Sequence, residues 1–189
     1  MKNTIVYLIG HYGVGKLTVA KALCAATAAR LLDNHLVNNV VFTLVRADGK
    51  TPLPKAIWTH IGHIREIAFE VIETLAPPEF SYVLTNALQD HDPIDRQWYE
   101  RTVEMARRRN ALFVPVLVDC DEAAHALRID TPERAANLKH TDVASGLARR
   151  HRVKTLTIEH PNLMQLDTTH LQPAEAAQQI IAHAERLAR

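Results

Sequence analysis

The chain has 189 residues, 47% of them hydrophobic, which is enough to bury one substantial core and reads most simply as a single domain over residues 1–189. With 22 Lys plus Arg against 21 Asp plus Glu the net charge is +1, so charge gives no reason to expect nucleic acid or an anionic membrane as the main partner. The two cysteines, Cys24 and Cys120, suit free thiols in a reducing compartment rather than a disulfide framework. The first apolar run is too short for a signal peptide, and no segment approaches the about 18 apolar residues of a membrane span. A cytoplasmic monomer or homodimer is expected.

Thr4 to Ile9 is an apolar run of strand character, followed by Gly10-His11-Tyr12-Gly13-Val14-Gly15-Lys16-Leu17-Thr18 and an Ala-rich helix from about Lys16 to Ala29. Arg30 to Asp33 reads as a short second strand, Asn34-His35 as a polar turn, and Val40 to Val45 as a brief helical piece. Arg46 to Pro54 is a loop by its Gly and Pro content. A long helix begins at Lys55, with Ile57, Ile61, Ile64, Ala68, Val71 and Leu75 as its core stripe, and Pro77-Pro78 ends it. Ser81 to Asn86 is a buried third strand, Ala87 to Pro93 a loop, and Ile94 to Asn110 a charged helix whose Arg107-Arg108-Arg109 offsets the helix dipole. Leu112 to Val118 is a fourth strand interrupted by Pro115, and Asp121 to Asp130 a further helix. Thr131 to Lys154 is basic and irregular, Leu163 to Leu166 is the last strand, and Pro173 opens a final helix. Alternation of short apolar strands with helices calls for an α/β fold with a parallel sheet covered on both faces.

The stretch from Gly10 to Thr18 carries the chemistry. Glycines at 10, 13 and 15 allow positive φ, so that successive N–H groups turn into one concavity suited to an anion. The positive end of the following helix and the charge of Lys16 strengthen that preference. The pattern is Gly, four residues, then Gly-Lys, with Leu17 where Ser or Thr is usual. We read it as a phosphate-binding loop. In a parallel sheet ligands sit beyond the carboxyl ends of the strands, which gathers this loop, Asp33-Asn34-His35, Asn86 to Asp92 and Asp119-Cys120-Asp121 at one edge. His60 and His63, with Glu66 and Glu70 nearby, read as a solvated or substrate-facing helix side rather than a zinc site. Arg149 and Arg150 either meet phosphate or stay solvated.

These residues together resemble the small P-loop kinases, the group of shikimate, gluconate and adenylate kinases and their little-characterised ATPase relatives, over nearly the whole length. The loop is similar to that of adenylate kinases, in which the residue after Lys is not Ser or Thr and a Thr follows it; here these are Leu17 and Thr18. Leu31-Leu32-Asp33-Asn34-His35 lies where shikimate kinases place an Asp-x-Asp pair, with Asp33 at the first acid and His35 replacing the second, so shikimate is not the expected acceptor. Arg128 and Arg134 have the spacing of the lid arginines, one stacking on adenine and one reaching the transferring phosphate.

The resemblance implies a three-layer P-loop fold with a five-stranded parallel sheet in the order 2-3-1-4-5, substrate-binding helices over about 34–76 and a short lid over about 131–152. It implies ATP and magnesium as cofactors and phosphoryl transfer to a small-molecule acceptor. Gly10, His11, Tyr12, Gly13, Val14, Gly15, Lys16, Leu17, Thr18 and Arg128 would bind ATP. Lys16, Asp33 and Arg134 would carry catalysis, and Thr18 and Asp33 would hold magnesium through water. His35, Asn86 and Asp90 would meet the acceptor. The third strand ends in Thr85-Asn86 without the family's acid, so Asp90 or Asp92 would have to substitute. The alternative is a switch that binds or slowly hydrolyses NTP without an acceptor.

Overall fold

The computed structural model describes residues 1–45, 47, 51, 53–131 and 141–189. Five strands, β1 (Thr4–Ile9), β2 (Arg30–Asp33), β3 (Tyr82–Asn86), β4 (Leu112–Asp119) and β5 (Met164–Asp167), form one sheet in the order β2-β3-β1-β4-β5. Every pairing is parallel. Among the described residues the helices are α1 (Lys16–Thr27), α2 (Asn34–Phe42), α3 (Lys55–Thr74), α4 (Pro93–Arg108), α5 (Glu122–Ile129), α6 (Val143–Arg152) and α7 (Pro173–Leu187).

All six residues of β1 are buried, as its central place requires, and their period-two alternation sorts them into two cores. Val6 and Leu8 meet Val19 and Leu23 of α1 and Ile180 of α7 on one face. Ile5, Tyr7 and Ile9 meet Phe69 and Ile72 of α3 and Met105 of α4 on the other. A third cluster joins Val37 and Phe42 of α2 to Ile57 and Ile61 of α3.

Side-chain caps start most of the helices that follow strands and loops. Asp33 accepts from the His35 N–H at 3.0 Å, Asp92 from Ile94 at 2.9 Å, Asp121 from Ala124 at 2.7 Å and Asp142 from Ser145 at 2.6 Å. Each satisfies an N–H that the first helical turn leaves unpaired.

The structure corrects four expectations. Asn34-His35 is the first turn of α2 and no turn in the loop sense, because the Asp33 cap starts the helix there. The stretch expected to be irregular contains α6, a helix with no buried residue, so no apolar period announced it. Pro115 does not break β4: it pairs in register with Tyr7, and β5 joins only from Val116 onward, so the proline lies where one edge of the strand is still open. The buried row of α3 is Ile57, Ile61, Phe69 and Ile72, with Val71 and Leu75 exposed. Arg65 sits in the middle of that row, four residues from Ile61 and from Phe69. Arg109 donates to the Pro77 carbonyl at 3.0 Å and to the Ile72 carbonyl, so it closes the end of α3 as well as that of α4.

Candidate active site

The Gly10–Thr18 loop joins β1 to α1. Gly13 has φ 85° and Gly15 φ 94°, conformations an L side chain resists. Gly10 needs to be glycine for a different reason: a Cβ there would lie 2.1 Å from the Val118 carbonyl oxygen of β4. Its N–H donates to the Asn86 carbonyl at 3.4 Å, which ties the loop to the end of β3. Lys16 folds back over the loop, its Nζ donating to the carbonyls of Gly10 at 2.8 Å and His11 at 2.6 Å. The ammonium thus stands over the concavity at the positive end of α1.

The loop is held from beneath and from one side. His125 of α5, only 2% exposed, donates from Nε2 to the Tyr12 carbonyl. Thr168, just past β5, places its hydroxyl 3.0 Å from the carbonyls of both Val14 and Asp119. Arg128 donates to the Thr168 hydroxyl at 2.9 Å and to its carbonyl at 2.8 Å, beside Gly15.

Two arginines of α6 reach the same edge. Arg149 lies over the Tyr12 ring at 5.2 Å and donates to the Gln89 side-chain oxygen at 2.9 Å. Together with Gly10, His11 and Val153 these residues line a small recess beside the loop. Arg150 pairs with Asp119 at 2.8 Å and donates to the Cys120 carbonyl at 2.7 Å. Burial and the positive charge of Arg150, with smaller contributions from Lys16 and His125 against the opposing pull of Asp119, push the His11 imidazole down to about 4. It is therefore neutral at pH 7.

A second recess opens on the β2–β3 side, lined by Tyr7, Asp33, Asn34, Arg65, Thr85 and Asn86 among others. Asp33 is 6% exposed and accepts from the Thr85 hydroxyl at 2.5 Å as well as from His35 N–H. Arg65 donates to the Asn34 side chain at 2.6 Å and lies 4.5 Å over the Trp98 ring. Burial lowers the Arg65 pKa, while Tyr7 and Asp95 act to raise it. The Tyr7 hydroxyl accepts from Asn86 at 3.3 Å, and burial raises its pKa despite the neighbouring Arg65.

The structure thus brings the glycine loop, Lys16, Asp33 and Asn86 to one sheet edge. Thr18 lies exposed in the first turn of α1 and Leu17 half-buried beside it. His35 faces its own helix, 3.4 Å from the Asn39 side chain and edge-on to Phe42. Asp90 points elsewhere: it accepts from the Thr157 N–H at 2.8 Å and pairs with Arg96 and Lys154. Asp92 caps α4. Arg134 lies outside the described residues, as does most of the first half of the expected lid. Sequence reasoning passed over Arg65 and His125, and each carried the same mark: a polar residue spaced four from apolar ones on a buried helix face, Ile61 and Phe69 for the first and Ile129 for the second. Among the described residues no group of three or more His, Cys, Asp or Glu is placed to hold a metal ion, and no helix is long and apolar enough to cross a membrane.

A five-stranded parallel sheet in the order 2-3-1-4-5, with a glycine loop and lysine between β1 and α1, is the fold of the small P-loop kinases. The chain belongs to the AAA domain family, whose model matches residues 5–153. Solved structures of similar fold include a gluconokinase from Sinorhizobium meliloti, with a TM-score of 0.62 at 17% identity over 98% of this chain and 94% of that one. A sugar kinase from Janibacter gives 0.59 at 15% identity over 97% and 95%, and thymidylate kinase from Candida albicans 0.58 at 10% identity over 99% and 93%. At such identities the likeness is one of fold. No curated protein matches the sequence.

Proposed function

We propose that this protein is an ATP-dependent phosphotransferase acting on a small-molecule acceptor. The observation that carries the proposal is the coupling of two sites at one sheet edge: the Lys16-covered glycine loop, and the Asp33–Arg65 recess, joined through Asn86. The Asn86 carbonyl accepts from Gly10 while its side chain, bonded to Tyr7, lines the recess. A nucleotide site alone has no need of the second recess. Its acceptor-facing role fits the kinases whose folds this chain shares.

Phosphoryl transfer asks the protein mainly to align the acceptor and neutralise charge on the transferring group. Lys16 leaves the Gly10 and His11 carbonyls for the outer phosphates, and the N–H groups of the loop supply the remaining neutralisation. Arg128, held by Thr168 beside Gly15, acts on the nucleotide side, and Arg134 is assigned to the lid, whose described residues include α6. Magnesium would draw on the Thr18 hydroxyl and the Asp33 carboxylate. These are hard oxygen donors of the kind it prefers, and Asp33 keeps lone pairs beyond the two it uses, so contact through water fits. When bound, the ion supplies charge neutralisation to the phosphates. Asp33 holds that water shell or takes the acceptor's proton. α2 and α3 carry the acceptor, with Asn34, Asn86 and Arg65 as its polar contacts. An anionic group on the acceptor suits Arg65, which makes no ion pair with any described residue within 4.0 Å.

The test is ADP release measured over a panel of sugars, sugar acids, nucleosides and nucleotides. Stimulation by one acceptor class, abolished in a folded Lys16→Ala variant, is expected. A second reading, a nucleotide-dependent switch, draws on one observation: β3 ends in Thr85-Asn86, and both nearby acids, Asp90 and Asp92, are engaged elsewhere. ADP release that no acceptor stimulates favours it.

A further inference from the structure

Beneath the glycine loop, His125 fills the space on the α5 side of Gly13. A Cβ at Gly13 would lie 2.9 Å from His125 Cδ2 and 3.0 Å from its Nε2, so the imidazole and a side chain at position 13 exclude each other. The His125 Nε2 is bonded to the Tyr12 carbonyl. A carbonyl only accepts, so Nε2 carries the proton. Among the described residues there is no cis peptide bond, and in a planar trans peptide the C=O and N–H point in opposite directions. Drawing the Tyr12 carbonyl toward α5 therefore turns the Gly13 N–H away from α5.

We infer that His125 is a positioning residue for the polyphosphate: its Nε2–H fixes the Tyr12–Gly13 peptide so that the Gly13 N–H faces the anion before any nucleotide arrives. This rests on the proposal that the loop binds nucleotide phosphates and adds to it a cause for the loop's shape outside the loop. Donors set in advance lose less on binding than donors that must turn to meet the ligand. His125 touches no phosphate itself. It acts through one backbone peptide, so α5 contributes to the phosphate site through His125 as well as through Arg128 beside Gly15.

Binding of ATP and of inorganic tripolyphosphate is measured by calorimetry for the wild type, His125→Gln and His125→Leu. Glutamine places an amide N–H where the imidazole Nε2 stands, and leucine keeps bulk without a donor. Without the donor the Gly13 N–H must turn to meet the charged phosphate, so His125→Leu is expected to lose about tenfold or more in affinity for both ligands. His125→Gln should stay within about threefold of the wild type. A folded leucine variant with wild-type affinity overturns the inference, as does a glutamine variant that loses as much as leucine. Should the leucine variant not fold, nitrogen-15 NMR of the wild-type imidazole decides: the Nε2–H tautomer, with a Gly13 amide that shifts on adding tripolyphosphate, is expected. The Nδ1–H tautomer contradicts the inference. A wild type that binds neither ligand refutes the phosphate site itself, which is a separate result.

Discussion

Replacing Gly10 and Gly15 in turn by alanine separates two reasons for glycine in one loop. At Gly10 the added methyl would sit 2.1 Å from the Val118 carbonyl oxygen and 3.2 Å from the Val14 Cγ2. An ordinary C···O contact is about 3.3 Å or longer, so the chain would have to part from β4 by about 1 Å at the carboxyl ends of the two central strands β1 and β4. Overpacking of this kind costs typically about 1–3 kcal/mol, and a backbone obstacle that cannot rotate away belongs at the upper end. For a chain of this size each kcal/mol lowers Tm by about 2–4 °C, so Gly10→Ala should lose about 6–12 °C. At Gly15 the nearest atoms to an added Cβ are 3.8 and 3.9 Å away, and the only cost is the positive φ, about 1–2 kcal/mol. Gly15→Ala should lose about 2–8 °C, less than Gly10→Ala. Thermal unfolding followed by circular dichroism measures both. A Gly10→Ala protein within about 1 °C of the wild type, or one more stable than Gly15→Ala, refutes the reasoning.

Further expectations concern the recess and the loop. Arg65→Met should raise the acceptor KM about tenfold or more while leaving the ATP KM unchanged, since a charged hydrogen bond of about 1.5–3 kcal/mol is lost on one side only; steady-state kinetics with the identified acceptor checks this. Asp33→Ala removes a helix cap and a buried bond to Thr85, and should cost about 1–3 kcal/mol in urea unfolding, whereas Thr85→Val should cost less. The His11 imidazole is held down to about 4 in the fold against about 6.5 unfolded. Its contribution to stability is then full above pH 6.5 and is lost as pH falls from about 6.5 to about 4, where the unfolded chain takes a proton that the native one refuses. The urea midpoint should therefore drop less between pH 7 and pH 4.5 in His11→Asn than in the wild type.

The sheet was legible because its strands are short apolar runs separated by helices, and the edge where ligands gather follows from parallel pairing alone. The glycine loop was legible from spacing. What escaped lay in side chains that act across elements. Asn34-His35 read as a turn because both are polar, and only the carboxylate of Asp33 makes them the start of α2. α6 carries no apolar stripe, so nothing periodic marked it, yet it brings Arg149 to Tyr12 and Arg150 to Asp119. Arg65 was hidden in an apolar row of α3, where a charge looks like an interruption until the recess that it faces is seen. Asp90 stood in the right loop but is drawn to Lys154 and Thr157 across a contact between segments more than sixty residues apart.

The central claim is that phosphate leaves ATP for an acceptor and not for water. Incubating the protein with ATP labelled in its γ-phosphate and a fractionated small-metabolite mixture, then separating labelled organic product from inorganic phosphate, tests it most directly. Label in an organic phosphate, absent with Lys16→Ala and reduced with Arg65→Met, is the predicted result. Label recovered only as inorganic phosphate with every fraction, from a protein that turns ATP over, would contradict it.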